Sequence, residues 1–333
     1  MVKFFVPGEN AALSQCQSFT PNCWVDMVSP TDGEVEEISR LTSVPEDFIK
    51  AALDEEEMAR TEFDEGCSMF VVDCPQMEVS DAGDSYSTLP LAVIYNKNCV
   101  MTVCLKGNPV LKDFITGRTR VNPQKPVQFI LNFLMGNVKR FLYCLKQIDR
   151  RSQRVQAELG TTLKNDDILQ LLELENSLVY FSTSLNSNTK VHEKLAKAEA
   201  VSKNEEYQDA YDDLVIECNQ AIEMCKIYKD TLSVSMDAYG SVISNNANDS
   251  MKKLTIITIL LAIPTMIAGF WGMNMPVPFQ GFNGETSTVW FWVVVAGAIA
   301  ITAAVAIIML KGSVVNRLKQ KRQRRQDKRN RRK

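Results

Sequence analysis

The chain has 333 residues, of which 45% are hydrophobic, so it can bury the cores of two or three domains and is not a disordered protein. Its net charge of −3 is the sum of a basic and an acidic part. Residues 311–333 carry twelve Lys and Arg and one Asp. The remaining 310 residues carry 25 basic and 39 acidic side chains, a net charge of −14. The single histidine, His192, argues against zinc, general-base or triad enzymes, whose chemistry needs imidazole at the reacting centre.

Cysteine usage and the N-terminal residues indicate the cellular compartment. The nine cysteines are an odd number with no CxxC pair, and several lie inside apolar runs such as "CVMTVCL", which is typical of a reduced compartment. The N-terminal "MVKFFVPGENAAL" lacks the apolar core of a signal peptide, so we expect the N-terminus to lie in the cytoplasm. His192, within "NTKVHEKLAK", is predicted to be a solvated helix residue.

Residues 1–125 are predicted to form a cytoplasmic α/β domain. The runs "SMFVVDC", "LPLAVIY" and "CVMTVCL" are typical of short strands, and "NKN" between the last two suits a hairpin turn. Helix starts are predicted at Thr31 or Asp32 and again at Pro45, which favours small helices packed on a sheet.

Residues 126–204 are predicted to form a cytoplasmic helical hairpin. Apolar residues recur at steps of three and four from Val127 to Ile148 and again from Ile168 to Leu185, which is the spacing of one helix face. The stretch "ELGTTLKNDD" separates the two helices.

Residues 205–271 are predicted to form a single long helix that continues into the membrane. The same periodicity returns at Tyr207, and no proline follows position 126 until Pro264. A helix from about Glu205 to Phe270 would be on the order of 100 Å long at ~1.5 Å per residue.

Two segments near the C-terminus are predicted to span a bilayer. The first is Leu254–Phe270 and the second is 289–310, and neither run contains a charged residue. Lys252 and Lys253 precede the first span and a basic tail, residues 311–333, follows the second, so both ends are expected inside and residues 272–288 outside. The alternative, a buried helical hairpin of a soluble protein, would normally show an amphipathic face.

The first span carries a polar and small-residue stripe at steps of three and four. The stripe comprises Asn248, Met251, Thr255, Thr258, Ala262, Thr265 and Gly269. One interpretation is ordinary helix packing, because Thr and Gly are common where membrane helices meet. The other is a face that lines a water-filled path, and its predicted pore-lining residues are Asn248, Met251, Leu254, Thr255, Thr258, Ala262 and Thr265.

The first span ends in "LTIITILLAIPTMIAGFWGMN", followed by two prolines. This segment resembles the CorA family of divalent-cation transporters, whose signature is Gly-Met-Asn at the outer end of the first of two C-terminal membrane helices. The resemblance also covers "ENSLVYFSTSLNSN", the approach "DAYGSVISNNANDSMKKLT" and the α/β domain, and so extends over nearly the whole chain.

The resemblance implies a fold, an assembly and an ion. The implied fold is an α/β cytoplasmic domain, long helices and two C-terminal membrane helices, assembled as a funnel-shaped homopentamer. Gly272, Met273 and Asn274 would form the selectivity filter. Because Mg²⁺ holds its water shell tightly, neutral acceptors spaced for a hydrated ion suit it better than carboxylates. No ATPase motif is present, which fits uptake driven by the membrane potential.

Two acidic residues match family positions at which intracellular magnesium is thought to bind. Asp213 and Asp237 lie on the predicted long helix, and the resemblance implies that Mg²⁺ bound there, between subunits and near the inner pore, holds the closed state. Mg²⁺ would then be both the transported ion and a regulatory ligand. The alternative for either residue is a solvated acidic face, which is common on long helices.

The sequence departs from better-known family members directly after the signature. Many of them carry Met-Pro-Glu and a longer loop, whereas here Met275, Pro276, Val277 and Pro278 follow and the only acidic loop residue is Glu285. An acidic ring at the mouth is therefore in question, and cobalt or nickel transport is the alternative within the family.

Functions of other classes have less support in the sequence. A membrane-anchored helical sensor would normally present a larger outer domain, and an anchored enzyme would need a cofactor or acid–base constellation that the sequence lacks. The basic tail, placed next to a membrane span, favours anionic lipid headgroups over nucleic acid. We therefore expect a non-enzymatic, multi-pass protein of the plasma (inner) membrane with both termini in the cytoplasm.

Overall fold

In the computed structural model of the chain, the described residues are 1–8, 13–64, 66–80, 83–159, 165–272 and 292–309. They belong to two compact units, Met1–Ala238 and Tyr239–Lys333. The strands are β1 Val2–Pro7, β2 Leu13–Cys16, β3 Cys23–Val28, β4 Arg60–Asp64, β5 Cys67–Ser80, β6 Gly83–Tyr95 and β7 Cys99–Cys104. The helices are α1 Asp32–Thr42, α2 Glu46–Ala51, α3 Pro109–Ile115, α4 Pro126–Leu159, α5 Asn165–Ala196, α6 Glu199–Ser202, α7 Glu205–Trp271 and α8 Trp292–Met309.

The first unit is built on one mixed sheet. Its strand order is β2-β1-β3-β7-β6-β5-β4. β3 and β7 run parallel with Cys23 opposite Cys99, and the other neighbouring strands are antiparallel. The predicted α/β class is confirmed.

The predicted helix starts and the hairpin turn are confirmed by their local hydrogen bonds. Thr31 caps α1 through a capping box with Glu34, in which each side chain accepts a bond from the other residue's backbone N–H. α2 begins directly after Pro45. In the turn between β6 and β7, Asn96 Oδ1 accepts from the backbone N–H groups of Asn98 and Cys99, at 2.8 and 3.0 Å.

Helices cover both faces of the sheet, which explains why β7 is buried at all six positions. On one face, Val35 of α1 and Phe48 of α2 pack in a cluster with Val25 and Met101. On the other face, Trp24 packs against Phe129 of α4, with ring centroids 5.4 Å apart. The core of the first unit therefore consists of two apolar layers with the sheet between them.

His192 of α5 is buried, with 2% of its surface exposed, so the prediction of a solvated histidine is wrong. The apolar spacing of α5 continues past Leu185 through Asn188, His192 and Leu195, all of which are buried. α5 contacts the sheet, and its Thr189 and Leu178 also meet cysteine thiols of α7. A helix covered on two sides buries polar residues that would be solvated on a one-sided helix.

The second unit contains the membrane-spanning segments. Two helices of the described chain are long and apolar enough to cross a bilayer, Glu205–Phe270 and Trp292–Met309, and the apolar stretch of each has none of its length buried. The predicted second span agrees with α8, although positions 289–291 and 310 lie outside the described residues.

Candidate functional site

The predicted pore-lining residues all lie on the last six turns of α7 or directly before them. All seven are exposed, and among them Met251 and Leu254 expose 59% and 66% of their surfaces. At ~100° per residue they occupy one arc of roughly 120°, with Leu254 at its edge. No charged residue lies among positions 254–271. The arc therefore offers carbonyl, hydroxyl and thioether groups without a net charge.

The threonine hydroxyls on this arc present acceptors outward. Thr258 Oγ1 donates its hydrogen to the carbonyl oxygen of Leu254 at 2.9 Å, and Thr255 and Thr265 make the same bond one turn back, at 2.9 and 2.8 Å. Because the single hydroxyl hydrogen is used inside the helix, the remaining lone pairs are available only as acceptors. Water bound to a cation directs its hydrogens outward, so such a surface suits a hydrated cation.

The opposite side of the same helix forms an apolar cleft with α8. Leu260, Pro264 and Ile267 line it from α7, and Val294, Ala298 and Ala306 are among the residues that line it from α8. By helical spacing Leu260 and Ile267 lie roughly 140–180° around the helix from Thr258 and Thr265, and Pro264 lies roughly 100–120° from them. The polar arc of α7 therefore faces away from its partner helix, which disfavours the interpretation that the arc packs against α8.

α7 ends close to the predicted signature. Trp271 is its last residue, and Gly272 N–H still donates to the carbonyl oxygen of Ala268 at 2.9 Å. A Cβ atom at Gly272 would approach that carbonyl oxygen to 3.3 Å, so glycine suits this close approach. Met273 and Asn274 lie outside the described residues, as do the loop prolines, Glu285 and the basic tail.

The predicted regulatory residues Asp213 and Asp237 are both exposed on α7. Asp213 forms no ion pair with any other described residue. It lies in "EEYQDAYDDLVIE", residues 205–217, which has six acidic and no basic side chains. Within the described part of one chain, no group of three or more His, Cys, Asp or Glu side chains could hold a metal ion. A metal site at Asp213 would therefore need ligands from a second subunit or from water.

Sequence reasoning did not single out any residue of α8, yet α8 forms one wall of the cleft. The sequence did contain a signal for this wall. The spacing of Ala298, Thr302, Ala303 and Ala306 puts small side chains on one face of α8, which is typical of a face that meets another membrane helix. Sequence reasoning also missed Asn188, although its position in the apolar repeat of α5 indicates that this polar side chain is buried.

Comparisons with known proteins extend over most of the chain. Residues 21–312 match the family model described as "CorA-like Mg2+ transporter protein". The "Cobalt/magnesium transport protein CorA" of Methanocaldococcus jannaschii is 25% identical over 283 residues, which cover 84% of this chain and 86% of the relative. The protein of the same name from Thermotoga maritima is 24% identical over 230 residues, covering 66% and 63%.

Solved structures share the fold. The complete CorA magnesium transporter from Methanocaldococcus jannaschii superposes with a TM-score of 0.72 at 20% identity, covering 93% of this chain and 96% of that one. The full-length CmaX protein superposes with a TM-score of 0.66 at 14% identity, covering 92% and 97%. These structures include a second unit like the one described above as well as the α/β unit.

Proposed function

The chain belongs to the family of CorA-like Mg²⁺ transporter proteins, and from that premise we propose how it moves a divalent cation across a membrane. Divalent metal cation transport is its function. We propose Mg²⁺ as the principal ion. Co²⁺ is the second candidate, because the two similar transporters named above are described as cobalt/magnesium transport proteins.

One observation carries the proposal: the hydroxyl acceptors of Thr255, Thr258 and Thr265 lie on a side of α7 that α8 does not cover. One pair of helices cannot enclose a pore. We propose that several copies, a homopentamer by family resemblance, bring these arcs around one axis. Thr255, Thr258 and Thr265 would then each supply a ring of neutral acceptors that bond to the water shell of Mg²⁺ without removing it.

The filter is proposed to stand at the outer end of this path. Gly272 directly follows the end of α7, and the side-chain oxygen of Asn274 from each copy would accept bonds from the hydrated ion. A carboxylate at that point would hold a divalent ion too strongly for rapid release. Residues Met275–Pro278 lack the glutamate of the Met-Pro-Glu sequence that better-known members carry after the signature. We propose that the neutral amides alone concentrate the ion here.

Transport is proposed to be driven by the membrane potential. Moving one charge across ~100 mV is worth about 2.3 kcal/mol, so a divalent ion gains about twice that on entry. We propose a plasma (inner) membrane as the location. Lys252 and Lys253 before the first span and the basic tail after the second favour, by the positive-inside rule, both termini on the cytoplasmic side. The tail would bind anionic headgroups, and no catalytic role is proposed.

Gating is proposed to use Mg²⁺ bound at Asp213 and Asp237. A ligand closes a channel only if it binds the closed state better than the open state. Because the described residues of one subunit hold no group of three metal ligands, we propose that the site is created when two subunits approach and lost when they separate. Identical sites around a ring act together, so about 1–3 kcal/mol per site can give a steep response.

The test is ion flux into proteoliposomes that contain the purified full chain. We expect Mg²⁺ uptake that rises with an inside-negative potential, together with uptake of Co²⁺, and we expect Asn274→Ala to abolish both while the oligomer size is unchanged. Co²⁺ or Ni²⁺ uptake without Mg²⁺ uptake would contradict the assigned ion. Undiminished flux in Asn274→Ala would contradict the assigned filter.

A further inference from the structure

One exposed face of α4 carries positive charges that no described residue neutralises. Residues 139–154 include six basic side chains and one acidic side chain. At ~100° per residue, Lys146, Arg150 and Arg154 share an arc of roughly 80° with Tyr143, and all four side chains are exposed. None of the three cations forms an ion pair with another described residue. These four residues, the α4 face, therefore combine a row of free cations with an exposed aromatic ring.

The first turns of α7 carry the opposite charge. Residues 205–225 have seven acidic and no basic side chains. Glu205, Asp209 and Asp212 share an arc of roughly 60° with Ile216, and these four exposed residues are the α7 row. The three acids form no ion pair with another described residue. The helix macrodipole favours acids in the first turn, where Glu205 lies, so it does not explain Asp209 and Asp212.

The α4 face and the α7 row have matching spacing when the two helices lie antiparallel. Counting forward from Tyr143, cations follow after 3, 7 and 11 residues. Counting backward from Ile216, acids follow after 4, 7 and 11 residues. An antiparallel pair that places Tyr143 against Ile216 therefore places each cation opposite an acid: Lys146 opposite Asp212, Arg150 opposite Asp209 and Arg154 opposite Glu205.

A parallel pair with the same apolar contact would match the charges poorly. It would place Arg150 opposite Glu223, but Lys146 opposite Asn219 and Arg154 opposite Ile227. Three ion pairs in one alignment and one in the other favour the antiparallel arrangement.

We infer that the α4 face of one subunit docks antiparallel on the α7 row of a neighbouring copy. One chain presents both surfaces on different helices, and a closed ring joins two different surfaces of adjacent copies in this way. A lipid headgroup or another polyanion would also be attracted by the cations, but the α7 row alone matches their spacing. Asp213 is turned ~100° from Asp212 and is not among the paired residues, so its proposed gating role is separate.

The inference rests on the proposed function, because that function gathers copies of the chain around one axis. A single exposed ion pair contributes little in water. Copies that are already held together by their membrane helices present the two surfaces to each other at a high effective concentration, so weak pairs suffice to dock them.

The experiment cross-links cysteine pairs in the full chain, reconstituted in proteoliposomes, with a short membrane-permeant bismaleimide. All variants carry Cys16→Ser, because the other eight native cysteines are buried. We expect Arg150→Cys combined with Asp209→Cys to give a ladder of linked subunits, since each copy contacts two neighbours. Either substitution alone should stay monomeric. Arg150→Cys combined with Glu223→Cys, the pair that parallel docking would join, should also stay monomeric.

Charge reversal then tests the attraction with the Arg150→Cys and Asp209→Cys pair as the reporter. Arg154→Glu should slow cross-linking at least about fivefold, and Glu205→Arg in the same chain should restore the rate. Lys97→Glu, at an exposed lysine in the turn between β6 and β7, is the matched control and should leave the rate unchanged. Raising the salt from 0.1 M to 1 M shortens the Debye length from ~10 Å to ~3 Å, so it should slow the reaction.

Three outcomes would overturn the inference. A reporter pair that stays monomeric, with Lys146 labelled by a photoreactive phosphatidylglycerol, would mean that the α4 face binds lipid headgroups. Equal ladders from the reporter pair and from the pair with Glu223→Cys would mean random collision. A rate that Glu205→Arg does not restore would contradict the assigned register.

Ion flux measured on vesicles of the wild-type chain separates this inference from the proposed function. Wild-type flux together with a monomeric reporter pair would remove the docking contact and leave transport intact. A ladder from the reporter pair without Mg²⁺ or Co²⁺ flux in the wild type would remove the proposed transport mechanism and leave the docking contact.

Discussion

Asn188 of α5 makes two hydrogen bonds to the backbone of Asp73 on β5: its Oδ1 accepts from the Asp73 N–H and its Nδ2 donates to the Asp73 carbonyl, each at 2.9 Å. β4 begins at Arg60, which pairs with Val71, so β4 does not reach as far as Asp73. The side-chain amide of Asn188 takes the place of the missing strand. This bond pair fixes the helical hairpin to the sheet.

We predict that Asn188→Ala destabilises the protein more than Asn137→Ala. Asn188→Ala leaves the Asp73 N–H without its partner, which should lower the free energy of unfolding by about 1–3 kcal/mol. Asn137 donates one bond to the Asp73 carbonyl oxygen, which also accepts a bond from Asn188. Asn137 Oδ1 is itself buried without a hydrogen-bond partner. Asn137→Ala should therefore lower the free energy of unfolding by about 1 kcal/mol or less. Urea unfolding of the full chain in detergent, followed by circular dichroism, measures both. Equal losses would contradict the assigned role of Asn188.

We predict that Thr258→Val lowers divalent-cation flux by about fivefold or more, because each copy loses one acceptor worth about 1 kcal/mol toward the hydrated ion while side-chain volume is kept. Ile257→Val is the matched control, since Ile257 is exposed on another face of the same turn. Flux into proteoliposomes is measured for both at equal protein content. Equal flux in Thr258→Val and Ile257→Val would favour the interpretation that the threonine arc serves helix packing.

We predict that Asp213→Asn and Asp213→Lys both reduce the dependence of flux on internal Mg²⁺, but in different ways. Asn removes the charge that binds the ion, so the channel should conduct at high internal Mg²⁺. Lys adds a positive charge that can replace the bound metal, so it should keep the channel closed even when Mg²⁺ is removed. Flux and protease protection are measured against internal Mg²⁺ concentration.

A matched control for the gating test is Asp230→Asn, another exposed acid on α7. It should respond to Mg²⁺ as the wild type does. If both Asp213 variants also follow the wild-type response, Asp213 is a surface acid and the switch lies elsewhere.

We predict a stability loss in acid that depends on His192. Burial lowers the pKa of His192 from 6.5 to about 4, so between these values the unfolded chain binds a proton that the folded chain does not. The contribution of His192 to the free energy of unfolding therefore falls as the pH drops below 6.5, by about 2 kcal/mol at pH 5, and is constant above about pH 7.5.

The measurement for His192 compares urea unfolding at pH 7.5 and pH 5 in the wild type and in His192→Leu. Leu cannot titrate, so the difference between the two pH values should shrink by about 2 kcal/mol even if the variant is less stable at both. The same pH difference in both proteins would show that other groups cause the acid sensitivity.

We predict that a cysteine at Gly284 reacts with an impermeant thiol reagent added outside intact cells, and that a cysteine at Gln323 does not. The background reaction of the reagent with native cysteines should be low. All nine native cysteines precede the spans, eight of them are buried, and burial raises the pKa of Cys99 and Cys104 to about 12, which keeps these thiols protonated. The opposite reaction pattern would invert the proposed orientation.

The local elements of this protein could be predicted from the sequence, because their causes lie within a few residues. The Thr31 capping box, the "NKN" hairpin turn and the two apolar spans each depend on side chains that are neighbours in the chain. The spacing of Thr255, Thr258 and Thr265 also predicts that they share one arc, since helix geometry alone fixes that relation.

Tertiary structure decided which face of each helix is covered, and by what. His192 is buried on α5, a helix that contacts both the sheet and α7, and the bonds from Asn188 to Asp73 join residues 115 positions apart. The apolar cleft likewise needs α7 and α8 side by side, because helical periodicity specifies a face but not its partner. That is why the sequence left two interpretations of the threonine arc open, and why only the position of α8 on the other side of α7 could disfavour packing of the arc against α8.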